Sequence, residues 1–256
     1  MNVLEQIVAN KRIEVATLQQ KYSIDFFRES ENFELPTHSL KEHILTNGFG
    51  IIAEIKRKSP SGGGIKTDLD VAEQAQFYAN NGAAGISILT DFNYFGGSIN
   101  DIIAARNVVQ LPLLCKEFII DELQLYEAKA AGADAVLLIA AILTNDEAAF
   151  LTLAAQSLGL EVLFEVHIED ELHKIPMHAD LVAVNNRDLK AQQTTLQHSF
   201  NLKPLLPNHI PAISASGITT PKHIQELKAA GFSGALIGES ILRQGHLAEL
   251  TKNIQI

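Results

Sequence analysis

The chain has 256 residues, 46% hydrophobic and 20% charged, a composition that excludes intrinsic disorder and fits one α/β barrel. Its 20 basic and 30 acidic side chains give a formal net charge of −10, which excludes general binding to nucleic acid or an acidic membrane surface, because both need a positive face. One cysteine, Cys115, leaves no internal disulfide or multi-cysteine metal site, and the longest charge-free apolar run, 135–145, is too short to span a bilayer.

Residues 2–20 carry Val3, Leu4, Ile7, Val8, Val15 and Leu18 with charges between them and no Gly or Pro, which predicts an amphipathic helix. Glu5, Lys11, Arg12 and Glu14 stand where a signal peptide would be apolar, so a cytoplasmic chain is expected. Two short helices are expected over Asp25–Glu31 and Ser39–Thr46, the latter ending where Asn47-Gly48 breaks the pattern. Residues 1–46 are too few for a core of their own and are expected to cover the barrel and its active-site rim.

From Ile51 onward one unit recurs: a short apolar run ending in polar residues, a helical stretch, then another run. The runs are 51–55, 85–89, 111–115, 135–139, 161–165, 181–185, 211–215 and 235–238. Gly82, Gly132, Gly159 and Gly231 follow helical stretches, where a left-handed cap needs no Cβ. Roughly 20–35 residues separate successive strand ends, room for a crossover helix in each gap, so the strands should be parallel. Eight such units predict a single (β/α)8 TIM barrel domain over 1–256, with 1–46 as an N-terminal helical extension. An open Rossmann-like sheet is the other arrangement of such units, but no GxGxxG opens a helix.

In such barrels the active site lies at the C-terminal ends of the strands. There strand 1 offers Glu54 and Lys56 on one face, strand 3 Lys116, strand 5 Glu165, and strand 6 Asn185 and Arg187. Two lysines and two glutamates near one mouth must pair to be desolvated, and both a structural ion-pair network and a catalytic constellation fit that composition. Ser216-Gly217 after strand 7 and Gly238-Glu239-Ser240 after strand 8 suit a phosphate, since glycine admits the ligand to the backbone and helix N–H groups donate to it. Plain turn chemistry is the alternative for either loop, and the Glu239 side chain must face away from any anion.

The run Ser59-Pro-Ser-Gly-Gly-Gly64 fails the Walker pattern because Ile65 precedes Lys66, leaving a hinged lid or a plain flexible loop. No HExxH occurs among the histidines, and no metal site is expected. His167 could point into the barrel mouth after Glu165, but a satisfied surface histidine is the favoured reading, and Cys115 is read as a core thiol facing away from Lys116. Phe95 stands on a strand-end loop, and for Phe118 core packing and substrate contact are both open.

Seven motifs together resemble the indole-3-glycerol phosphate synthase family, in family order and over nearly the whole chain. They are Ala53-Glu-Ile-Lys-Arg-Lys-Ser-Pro-Ser61, Tyr94-Phe-Gly-Gly-Ser98, Cys115-Lys-Glu-Phe-Ile119, Val136-Leu-Leu-Ile139, Asn186-Arg-Asp-Leu189, Ser216-Gly-Ile218 and Leu236-Ile-Gly-Glu-Ser240. The resemblance implies a decarboxylating carbon–carbon lyase of tryptophan biosynthesis that closes the indole ring of 1-(2-carboxyphenylamino)-1-deoxyribulose 5-phosphate without metal or organic cofactor. By motif, Lys116 would protonate the substrate ketone, Glu165 would act as base, and Lys56 would bind the carboxylate or donate a proton in dehydration. Glu54 and Asn185 would orient these groups and the substrate hydroxyls. Ser59, Ser216, Gly217, Gly238 and Glu239 would line the phosphate site, Arg187 would add a substrate contact, and Phe95 and Phe118 would flank the aromatic ring.

The family has Glu before Ser-Gly-Ile, whereas Ala215 stands there in this chain. A weakened phosphate-binding relic of the family and a phosphoribosylanthranilate isomerase-like barrel are the competing readings. The expected partner is the small phosphorylated substrate alone, with no nucleic acid and no membrane, and the oligomeric state is left open.

Overall fold

The structure, a computed structural model, describes residues 2–46, 48–60, 63–187 and 193–252. Asn47, Ser61, Gly62, Asp188 and Leu189 of the motifs above lie outside the described residues. Helix α1 (Val3–Lys21) opens on a reciprocal cap: the Asn2 side chain accepts from the Glu5 N–H, and the Glu5 carboxylate accepts from the Asn2 N–H. Helices α2 (Ile24–Arg28) and α3 (Leu40–Thr46) follow, each within a few residues of its expected span.

Eight strands follow the extension: β1 (Gly50–Ile55), β2 (Gly85–Leu89), β3 (Leu113–Lys116), β4 (Ala135–Ile139), β5 (Glu161–Val166), β6 (Leu181–Asn185), β7 (Ala212–Ala215) and β8 (Gly234–Ile237). Every neighbouring pair is parallel, and β8 closes on β1, giving the expected (β/α)8 barrel. The strands are buried on both faces because outward side chains such as Ile51, Ala53 and Ile55 pack on helices. Inward ones, among them Ile52, Leu114, Leu137, Leu163, Leu181 and Ile213, fill the barrel.

The connections are α4 (Val71–Asn80), α5 (Phe92–Phe95) with α6 (Ile99–Arg106), α7 (Glu122–Ala131), α8 (Asn145–Ser157), α9 (Gln197–Leu202) and α10 (Pro221–Ala229). After β8 come α11 (Glu239–Gln244) and α12 (Leu247–Lys252). Gly132 ends α7 at φ 94°, with its N–H on the Ala128 and Lys129 carbonyls, and the other three glycines expected as caps also have positive φ. One gap departs from expectation. Between β5 and β6 there is only a 3-10 helix, Glu169–Lys174, because Glu171 turns back to accept the His167 and Ile168 N–H groups and Pro176 then ends the segment. Among the described residues no helix is long and apolar enough to cross a membrane.

The extension serves both ends of the barrel. Leu40 and Ile44 of α3 are fully buried in the inner cluster and plug the N-terminal end. Strands start with glycine where that plug presses on them: a Cβ on Gly85 would sit 2.4 Å from Leu40 Cδ1, and one on Gly50 2.7 Å from Ile44 Cα. Helix α1 lies over the opposite end, with Val3, Leu4 and Ile7 facing the cavity there.

A buried charge cluster pins α1 in place. Lys11, only 4% exposed, reaches Asp91 Oδ2 at 3.1 Å and Glu117 Oε1 at 3.0 Å, and also pairs with Glu14. Burial alone would lower its ammonium pKa, but Glu117, Glu14 and Asp91 raise it well above the ordinary lysine range. Glu127 on α7 adds a further carboxylate, and burial together with Glu117 pushes its pKa up to about 7 from 4.5. Between about pH 4.5 and 7 the folded protein therefore holds a proton that the unfolded chain has released, so stability falls as pH rises through that window. Glu127→Gln is expected to flatten this slope and to raise the Tm at pH 8 by about 2–4 °C per kcal/mol relieved. Melting curves from pH 4 to 8 check it, and parallel pH profiles for the two proteins would refute it.

Candidate active site

Glu54 sits at the centre of the barrel mouth, 2% exposed. Its Oε1 lies 2.6 Å from Lys56 Nζ and its Oε2 accepts from Lys116 Nζ at 2.6 Å, so one carboxylate holds two ammonium groups apart. Two-residue alternation puts Glu54 and Lys56 on the same face of the chain, and strand neighbours Leu89 and Lys116 bring β3 alongside. Burial alone would raise the Glu54 pKa, but Lys116 and Lys56 overcome it and hold the carboxyl at about 2. Burial likewise works against the charge on Lys116, and Glu54 and Glu165 more than offset it, so its pKa is raised. Lys116 is therefore a charged donor at neutral pH.

Glu165, at the end of β5, is equally buried. Asn185 Nδ2 donates to its Oε1 at 3.1 Å, and His167 Nε2 stands 3.4 Å from the same oxygen. Among the described residues, Glu165 Oε2 is buried with no hydrogen-bond partner. A desolvated carboxylate with one oxygen held and the other free can take up a proton. His167 is 7% exposed and lines the cavity, which corrects its reading as a surface histidine: residues 165 and 167 share the inward face, and the chain stays extended one step beyond the barrel wall.

Two aromatic rings form one side of the mouth, Phe95 and Phe118, with centroids 6.0 Å apart. Asp91 caps the short helix that carries Phe95, and Phe118 follows Glu117, so both rings hang on partners of Lys11. Arg57 ties the loop after β1 to the same region, with paired hydrogen bonds to Asp101 at 2.6 and 2.9 Å and one to the Gly96 carbonyl. In that loop Lys58–Ser59 pairs antiparallel with Gly63–Gly64, which holds Ser59 against the cavity.

Across the mouth, β7 runs into Ser216-Gly217, both at positive φ (72° and 76°). For a serine this left-handed conformation costs roughly 1–2 kcal/mol. Asn186 offsets it by donating to the Ser216 carbonyl at 3.0 Å and to Ser214 Oγ at 2.9 Å. Beside this turn, Glu239 and Ser240 at the start of α11 line the cavity with Gly238, and the Glu239 side chain accepts from Arg243 Nε at 2.9 Å.

The mouth opens into one cavity of about 450 Å³, a size suited to a small ligand. It brings together Glu54, Lys56, Lys116, Glu165, Asn185 and Arg187 with Ser59, Phe95, Phe118, Ser216, Gly217, Gly238 and Glu239. Ala215 is not on that surface. It is 1% exposed in the inner cluster beneath it, opposite Asn185 and Leu236 in register. Gly238 has a role that turn chemistry does not suggest: a Cβ there would sit 2.3 Å from Glu54 Oε1. Thr194, Arg243, Leu4 and Ile7 also line the cavity without any motif to signal them. Cys115 faces the outer layer, its thiol pKa pushed up by burial, and cannot supply the acid–base pair an isomerase would need.

The family model for indole-3-glycerol phosphate synthase matches residues 4–254. The indole-3-glycerol phosphate synthase of Bacteroides thetaiotaomicron is 43% identical over 98% of this chain and 97% of its own length. That of Prochlorococcus marinus (strain MIT 9215) is 40% identical over 97% of this chain and 87% of its own. Among solved structures, tryptophan synthase subunit alpha from Legionella pneumophila matches with a TM-score of 0.61 at 16% identity, covering 84% of this chain and 96% of its own, a likeness of fold alone.

Proposed function

Given that the chain belongs to the indole-3-glycerol phosphate synthase family, we propose that Glu54, Lys56, Lys116, Glu165 and Asn185 carry out the ring closure of 1-(2-carboxyphenylamino)-1-deoxyribulose 5-phosphate. The observation that carries this assignment is the pair of lysines held on one buried carboxylate, opposite a second carboxylate with a free oxygen. Lys116 gives a proton to the ketone oxygen as the ring carbon bearing the carboxylate attacks the ketone carbon. Carbon dioxide then leaves, its electron pair restoring the aromatic ring. In the second stage the new hydroxyl departs as water with a proton from a lysine, and Glu165 takes the proton from the carbon beside the ring nitrogen. Glu54 holds the two lysines apart and keeps Lys116 charged, while Asn185 fixes Glu165.

The phosphate is held by the backbone of Ser216-Gly217 and the N–H groups opening α11, with Ser59 from the facing loop. Phe95 and Phe118 bracket the aminobenzoate ring, and Arg187 stands on the same wall for the anionic groups. The enzyme is on this reading a decarboxylating lyase whose chemistry rests on side chains alone.

The test is turnover of the purified chain on this substrate, read as the rise of indole fluorescence. The sequence contains no Trp, so the background is dark. Indole appearance at saturable rates is the expected result; substrate binding without turnover would overturn the assignment in favour of a binding relic.

Ala215 sharpens the expectation. A carboxylate grown from this position rises toward Asn185 and the lysines above, where it would favour their charged forms. Ala215→Glu is expected to raise kcat by about two- to tenfold, equivalent to roughly 0.4–1.4 kcal/mol in the barrier. It should also lower the Tm, because the inner cluster is filled. Steady-state kinetics across pH check this; an unchanged or lower kcat at every pH would refute it.

A further inference from the structure

We propose that His167 is a positioning residue for Glu165, holding Oε1 so that Oε2 is the oxygen presented to substrate. The inference rests on the assignment of Glu165 as base. Three observations carry it. First, His167 Nε2 and Asn185 Nδ2 converge on the same Glu165 oxygen, at 3.4 and 3.1 Å, while the other oxygen is buried with no partner among the described residues. Second, His167 is itself nearly enclosed, so its contact with Glu165 is not diluted by water. Third, the residue is braced from behind through its backbone. Glu171 Oε2 lies 3.8 Å from His167 Nδ1 and accepts the His167 N–H at 2.6 Å, and His198 Nε2 contacts the His167 carbonyl. The histidine thus has a carboxylate on each side of its ring, one in the cavity and one on the 3-10 helix behind it. That helix is where an α-helix would otherwise stand, and its tight first turn is what brings Glu171 back to the His167 N–H.

Among the described residues, the charged groups around this pair are few. Lys116 faces Glu165 across the cavity, Arg187 stands on the same wall, and Glu171 lies behind the imidazole. In a buried site an N–H donor close to a carboxylate favours its ionised form, which is the form a base must have. Loss of the imidazole frees the carboxylate to rotate, and misplacement of a reacting group by about 1 Å costs on the order of 10²-fold in rate.

The experiment compares wild type, His167→Leu, His167→Gln and Glu165→Gln by the pH dependence of kcat and KM. His167→Leu is expected to lower kcat by about tenfold or more and to move the acid limb of the kcat profile upward by about one pH unit, with KM within about threefold. His167→Gln, which keeps an N–H donor near the Nε2 position, is expected to recover most of kcat and most of the limb. A His167→Leu profile superimposable on wild type would overturn the proposal. A drop in kcat that Gln does not relieve, with no movement of the limb, would overturn it too, since that is the mark of a structural role. Glu165→Gln separates the two levels: if that variant turns over normally, the base assignment falls and the positioning role with it. If it is inactive while His167→Leu is unshifted, only the positioning role falls.

Discussion

Lys116→Met is expected to reduce kcat at least ~10²-fold with little change in KM, the usual loss when a positioned general acid is removed. Lys116 Nζ is within 2.6 Å of a buried carboxylate and is kept charged by Glu54 and Glu165, which is the protonation state an acid must have. Stability should move as well. The Glu54 carboxyl, held at about 2 rather than 4.5, contributes stability that is fully present above about pH 4.5 and is lost as pH falls through 2. With one lysine gone this contribution shrinks, so the variant should melt earlier at neutral pH and differ least from wild type in strong acid. Lys116→Arg is the informative control: it restores the charge beside Glu54, and with it much of the Tm, but its guanidinium stays protonated and does not transfer a proton. Glu165→Gln should match the loss in kcat without the change in acid stability assigned to Glu54. Steady-state kinetics with melting curves at pH 3 and 7 decide the matter, and turnover near wild type in both Lys116→Met and Glu165→Gln would sink the assignment of roles.

The second large effect is expected at a residue with no side chain. Gly238→Val should collapse both kcat and kcat/KM, by ~10²-fold or more. Its Cβ would stand 2.3 Å from Glu54 Oε1 and 3.0 Å from Glu54 Cδ, so the carboxylate must leave the position from which it holds Lys56 and Lys116. A phosphate-site residue acting only through ligand binding would raise KM and spare kcat at saturation. The structure puts the glycine directly against the Glu54 carboxylate. Gly238→Ala, the smallest change that introduces the clash, should already lower kcat. A pure KM effect in Gly238→Ala, with kcat intact, would show that Glu54 accommodates the methyl group and that the role is confined to the anion.

What the amino-acid sequence determined by itself is the part of this protein set by local periodicity. Apolar runs at regular spacing, most followed by a helical stretch and four of those stretches by a glycine, suffice to predict eight parallel units, and parallel strands buried on both faces have few other ways to close. Strand alternation likewise places Glu54, Lys56, Lys116, Glu165 and Asn185 at one mouth, because a residue's face follows from its parity once the strand end is known. Other features depend on distances between residues far apart in the chain, and no local pattern encodes those. Lys11 reads as one more charge on an amphipathic helix, and only the packing of α1 against Asp91 and Glu117 makes it a buried anchor. His167 reads as a surface residue until the 3-10 helix turns Glu171 behind it. Gly238 reads as a turn, and its need for hydrogen in place of a Cβ comes from a glutamate on β1, joined to it only by closure of the barrel between the last strand and the first.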